Sequence, residues 1–113
     1  MQDTAVVDGL LAAATALSER CNALLPSLIG QGGVAHATNT LEYAWPLHEA
    51  WIRTWGGRGA STLMLGMNPG PWGMAQSGVP FGATGIVRDE LRIPDLALET
   101  LSLIHISEPT RPY

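Results

Sequence analysis

The chain has 113 residues with six arginines, no lysine and ten carboxylates, for a formal charge of −4. It has room for one small domain and no cluster of cations of the kind that tracks a nucleic-acid backbone. Its single cysteine, Cys21, excludes an internal disulfide, no Cys/His spacing points to zinc, and no apolar run approaches the roughly eighteen residues of a membrane span. The expectation is an intracellular monomer without metal, cofactor or membrane anchor.

In chain order, Val7, Leu10, Leu11, Ala14, Leu17, Cys21, Leu24, Leu25 and Leu28 recur at three- and four-residue steps and predict an amphipathic helix. Asp3 or Thr4 can cap its start, Pro26 should end or kink it, and Gly30-Gln31-Gly32-Gly33 marks a break. Residues 34–40 can be extended. Tyr43, Ala44, Leu47, Ala50, Trp51 and Trp55 predict a second helix over 41–54, entered near Asn39-Thr40 and closed by Gly56-Gly57. Residues 62–67 read as a buried strand, and residues 84–91 as a short helix stopped by Ile93-Pro94. A lone strand between helices leaves its ladder groups without partners, so the chain reads as the opening part of a larger α/β domain.

Between that strand and the last helix, five Gly and three Pro fall within the seventeen positions from Gly66 to Gly82. Gly admits positive φ and close backbone approach, whereas Pro fixes φ, so together they build a rigid, non-repeating loop of the sort that carries sites. Asn68 precedes Pro69 and is biased to extended backbone, so its amide projects from the strand end. A carboxamide is a poor base and suits orienting water more than deprotonating it; in isolation the same Asn also reads as a turn residue. Gly70 leaves room for a ligand. Trp72, Met74 and Phe81 supply apolar walls, and Phe81 can stack on a planar heterocycle or pack in a core. The glycines fit neither a P-loop nor G-x-G-x-x-G. His36 and His48 read as surface or helix-packing histidines, and Arg88-Asp89-Glu90 as a solvated charged face.

The run Gly66-Met67-Asn68-Pro69-Gly70-Pro71-Trp72-Gly73-Met74-Ala75-Gln76-Ser77-Gly78-Val79-Pro80-Phe81-Gly82, followed by Val87-Arg88-Asp89, resembles the first active-site motif of single-strand-selective monofunctional uracil-DNA glycosylases. Residues 39–48 are similar to that family's Asn-Pro-Leu-Glu-Tyr-Ala segment, with Thr40 in place of the Pro, and the likeness extends from about Val34 to Ile93. It implies the N-terminal helices, first strand and active-site loop of a three-layer α/β/α fold around a parallel sheet. It also implies a base-excision-repair hydrolase that flips uracil or 5-hydroxymethyluracil out of DNA. Carried over residue by residue, Asn68 positions the attacking water, Phe81 stacks on the base and the Met67 backbone contacts it. Gly70 and Met74 then shape the corner at the base's 5-position. A mismatch-specific thymine/uracil glycosylase, whose loop also contains Asn-Pro-Gly, is the nearest alternative, and a truncated product without function is another.

The family's uracil-reading Asn, its His-Pro-Ser motif and its wedge loop have no counterpart in this sequence, so the 113-residue chain by itself is expected to be inactive. Residues 101–111 resemble one reading-frame translation of a transposase-type sequencing adapter. That divides the chain into a partial glycosylase domain over 1–100 and a non-native tail over 101–113, in which His105 receives no functional role.

Overall fold

The computed structural model describes residues 1–93; the adapter-like run and Pro94 lie outside the described residues. Four helices appear among them: α1 (Thr4–Leu28), α2 (Thr40–Tyr43), α3 (Trp45–Trp55) and α4 (Met74–Ser77). A 3-10 turn at Gln31–Gly33 and a π-type turn at Ile86–Glu90 complete the regular structure.

α1 begins where an acidic cap permits it. The Asp3 carboxylate accepts from the Ala5 and Val6 amides at 3.0 and 3.3 Å, satisfying two of the donors that every helix start leaves open. The helix runs through Pro26 to Leu28, and Gly30 then turns the chain with φ +91°. Among α1 residues Val7 alone is buried, and Leu10, Leu17, Leu24 and Leu28 on its apolar stripe stay exposed.

The helix expected over 41–54 is two helices. Trp45-Pro46 sits in the first turn of α3, where proline's missing N–H and fixed φ suit a helix start and not a helix interior. Ala44 therefore ends α2 and opens α3. Asn39 caps α2 by accepting from the Leu41 amide at 3.1 Å, while its Nδ2 donates to the Ser18 carbonyl, Ser18 Oγ and Asn22 Oδ1 of α1. One buried amide thus starts α2 and fastens it to α1. At the other end Gln2 Nε2 donates to the Arg53 and Gly56 carbonyls at 2.6 and 2.8 Å, covering the open C-terminal carbonyls of α3.

The core lies between α3 and the last described segment, with Leu47, Val79, Val87 and Ile93 buried together and Ala50, Trp51 and Leu91 packed around them. Trp55 Nε1 donates to the Leu91 carbonyl at 2.9 Å and fixes that segment to the end of α3.

The expected parallel sheet is contradicted: the described residues contain no strand. Residues 61–66 have no regular secondary structure, and Leu63, Met64, Leu65 and Met67 are 86%, 66%, 89% and 99% exposed. The apolar run has the composition of a buried strand, but a ladder needs a second backbone, and none of the described residues pairs with it in one.

Gly78 has φ +73°, and a Cβ there would come within 2.8 Å of both the Cβ and the carbonyl oxygen of Ala44. Gly78→Ala is expected to lower unfolding free energy by at least about 1–2 kcal/mol, the left-handed penalty alone. Gly9→Ala, in α1 with open space at its Cβ position, should raise it by about 0.5–1 kcal/mol. Paired urea titrations check both; equal midpoints for the two variants would contradict this packing.

Candidate active site

The Gly/Pro loop is built from its far end. The Gly70 carbonyl accepts from the Gly73 and Ala75 amides at 3.3 and 3.0 Å, and the Gly73 carbonyl accepts from Gln76 and Ser77 at 2.9 Å, which together initiate α4. Past Gly78, Ser77 Oγ donates to the Gly82 carbonyl at 2.6 Å and accepts from the Val79 amide at 3.1 Å, while the Gly82 amide donates to the Val79 carbonyl at 2.8 Å. This buried bracket holds Phe81 at φ +57°, a conformation that costs an L-residue energy and persists only where the surroundings over-determine it.

The bracket returns Phe81 to the start of the loop. A Cβ on Gly66 would stand 3.3 Å from Phe81 Cζ, so the ring lies across the backbone two residues before Asn68. Phe81 remains 56% exposed, which leaves ring surface for a partner. Asn68 is exposed, and its Nδ2 donates to the Pro69 carbonyl at 3.1 Å. Open space surrounds the position a Gly70 Cβ would take. The Met67 side chain points away into solvent, and Met74 lines a pocket of about 350 Å³ with Leu17, Cys21, Leu41 and Pro69. Phe81 therefore meets the loop at Gly66, while Met74 lines a pocket that contains neither Asn68 nor Phe81.

A larger groove of about 1050 Å³ lies elsewhere, between α1 and the end of α3, lined by Leu10, His48, Trp51, Trp55 and Arg58 among others. None of the residues from Met67 to Phe81 reaches it. Its lining is mainly the facing sides of α1 and α3 with the turn after α3, and the Gly/Pro loop is the stronger candidate. Among the described residues no group of three or more His, Cys, Asp or Glu side chains is placed to hold a metal ion.

His48, read from the sequence as a surface or helix-packing histidine, and Tyr43 both hold the loop, and Gln76 is buried within it. His48 is buried, tilted between Trp45 and Trp51 with ring centroids 5.8 and 5.4 Å away, and its Nδ1 lies 2.6 Å from the Gly78 carbonyl. A carbonyl only accepts, so Nδ1 carries the proton. The Tyr43 hydroxyl donates to the Ala75 carbonyl. Gln76 is buried, and its Oε1 has no hydrogen-bond partner among the described residues. The signal for His48 was present: it falls in step with Trp45, Trp51, Ile52 and Trp55 on the apolar stripe of α3.

Several curated proteins match the chain. A Bos taurus single-strand selective monofunctional uracil DNA glycosylase is 51% identical over 53 residues, covering 47% of this chain and 20% of the relative. The Rattus norvegicus and Mus musculus proteins of that description are 45% and 43% identical over 74 residues, 66% of this chain and 27% and 26% of the relatives. Over that stretch the chain is similar to single-strand-selective monofunctional uracil-DNA glycosylases. The matched region spans about a quarter of the length of these glycosylases. No family model matches the chain, and no solved structure matches it significantly.

Burial lowers the pKa of His48 from its ordinary 6.5, and the bond to the Gly78 carbonyl offsets part of that. The unfolded chain then binds a proton that the folded chain resists. Stability is complete above about pH 6.5 and falls as the pH drops through the lower folded value. The melting temperature should decline between pH 6.5 and 5, and His48→Asn should flatten that decline. A wild-type melting curve independent of pH across this window would contradict the buried neutral imidazole.

Proposed function

We propose that this chain carries part of the active site of a base-excision-repair uracil-DNA glycosylase that acts inside the cell on uracil and 5-hydroxymethyluracil in DNA. The observation that carries the reading is the 43–51% identity to relatives named as uracil-DNA glycosylases, over a stretch of 53–74 residues.

In this reading the target nucleotide leaves the base stack and its pyrimidine rests against the exposed face of Phe81. The bond between N1 of the base and C1′ of the sugar breaks, its electron pair leaves with the base, and an oxocarbenium-like sugar accepts a water molecule. Such a cation is electrophilic enough that the water needs orientation more than deprotonation, which a carboxamide supplies. Asn68, which is exposed, takes that role in this reading, and the Met67 backbone would contact the base. The space beside Gly70 accommodates a substituent at the 5-position, whereas Met74, expected at the same corner, lines a separate pocket here. With a net charge of −4 this chain offers little to neutralise phosphates, so its share of the work is base recognition and water placement.

A full-length protein carrying this segment should release uracil and 5-hydroxymethyluracil from single-stranded oligonucleotides. Gly70→Tyr fills open space at a position without positive φ, so it should reduce 5-hydroxymethyluracil release at least tenfold while uracil release persists. Equal release of both bases by the Tyr variant would contradict the pocket assignment. Release confined to mismatched duplexes would favour a mismatch-specific thymine/uracil glycosylase instead.

A further inference from the structure

The segment 39–48 resembles a family motif, yet nothing about catalysis explains why it is there. Its geometry supplies a reason. α4 is a single turn closed by Gly78 as its C-cap, and the Ala75 carbonyl of the turn and the carbonyl of the cap each accept from a side chain of this segment. The Tyr43 hydroxyl, itself 3.2 Å from Thr40 Oγ1, donates to the Ala75 carbonyl, and His48 Nδ1 donates to the Gly78 carbonyl at 2.6 Å. Between these two points Gly78 fits directly against Ala44, with no room for a Cβ. The four residues after Gly78 form the Ser77–Gly82 bracket that sets Phe81 at φ +57° with its ring over Gly66.

We propose that Tyr43 and His48 are positioning residues for base recognition: they clamp α4 and its C-cap by their carbonyls and thereby hold Phe81 over the Gly66 backbone. This rests on the glycosylase reading for the identity of the base, but the clamp itself is a property of the chain. His48 is suited to the task because two flanking tryptophans restrict its ring, so one buried donor fixes both the distance and the direction of the Gly78 carbonyl. Tyr43 reaches Ala75 across the surface and contributes the second point of attachment. Neither touches the base, so each acts through Phe81. An Asn at position 48 can place its Nδ2 near the site of the imidazole Nδ1, whereas Leu fills similar space without a donor.

The 113-residue chain and its Tyr43→Phe, His48→Asn and His48→Leu variants should be compared in three ways. Long-range proton–nitrogen NMR reads the His48 tautomer, a Phe81-ring to Gly66-Hα Overhauser effect reads the ring position, and fluorescence anisotropy on the same substitutions in a full-length protein carrying this segment reads the preference for a single-stranded oligonucleotide bearing one uracil over its thymine counterpart. Expected are an Nδ1-protonated neutral imidazole, loss of the Overhauser effect and at least a fivefold loss of uracil preference in His48→Leu, and rescue of both by His48→Asn. Tyr43→Phe should weaken the Overhauser effect and lower the preference about twofold. Should His48→Leu fail to fold, as far-UV dichroism would show, Tyr43→Phe and His48→Asn decide the matter. An Nε2-protonated His48, or an undisturbed Phe81–Gly66 contact in both Tyr43→Phe and the Leu variant, overturns the clamp. If the unsubstituted full-length protein binds both oligonucleotides equally, the glycosylase reading loses its support here, and the tautomer and Overhauser data still judge the clamp.

Discussion

The described fold depends on the contact between α3 and the chain from Gly78 to Ile93. Leu47 on the helix and Val79, Val87 and Ile93 on the returning segment exclude water from one another, and their burial is the main favourable term available to so small a core. The polar consequence is handled at the same interface: the buried Gly78 carbonyl would be stranded without a donor, and His48 supplies one. Packing and hydrogen bonding thus specify a single seating of the loop on the helix.

That seating matters because the opposite end of the loop is not held by a sheet. Residues 61–67 carry their apolar side chains in solvent, so nothing in this stretch fixes where Asn68 stands. The loop's geometry is transmitted backward, from Gly78 through the Ser77 bracket to the Phe81 ring and across to Gly66. Pro69 and Pro71 then limit what the intervening backbone can do. A strained Phe81 and a half-exposed aromatic face are hard to account for by stability and easy to account for by a planar ligand.

Local signals in the sequence were sufficient for much of this. α1 was legible because an Asp cap, a three-and-four apolar repeat and a glycine break agree. The division between α2 and α3 was missed because the apolar period runs through it, although Pro46 marked the place. The strand over 62–67 was overread: composition reports what a segment would do beside partners and cannot supply them. The loop 66–82 stands out in the sequence by its Gly, Pro and Asn content, and the family it resembles is the one that the curated relatives name. What supports the loop was not legible, since the bonds of Tyr43 to Ala75 and of His48 to Gly78 join residues 32 and 30 positions apart. No periodicity encodes such pairs.

The claim on which the functional account turns is that the carboxamide of Asn68 orients the water that attacks the sugar. Single-turnover excision of uracil from single-stranded DNA by a full-length protein carrying this segment, compared with its Asn68→Ala variant at saturating enzyme, tests it most directly. The account predicts a fall in the chemical rate of about 10²-fold or more with substrate affinity little changed. An Asn68→Ala variant that cleaves at the unsubstituted rate would contradict it.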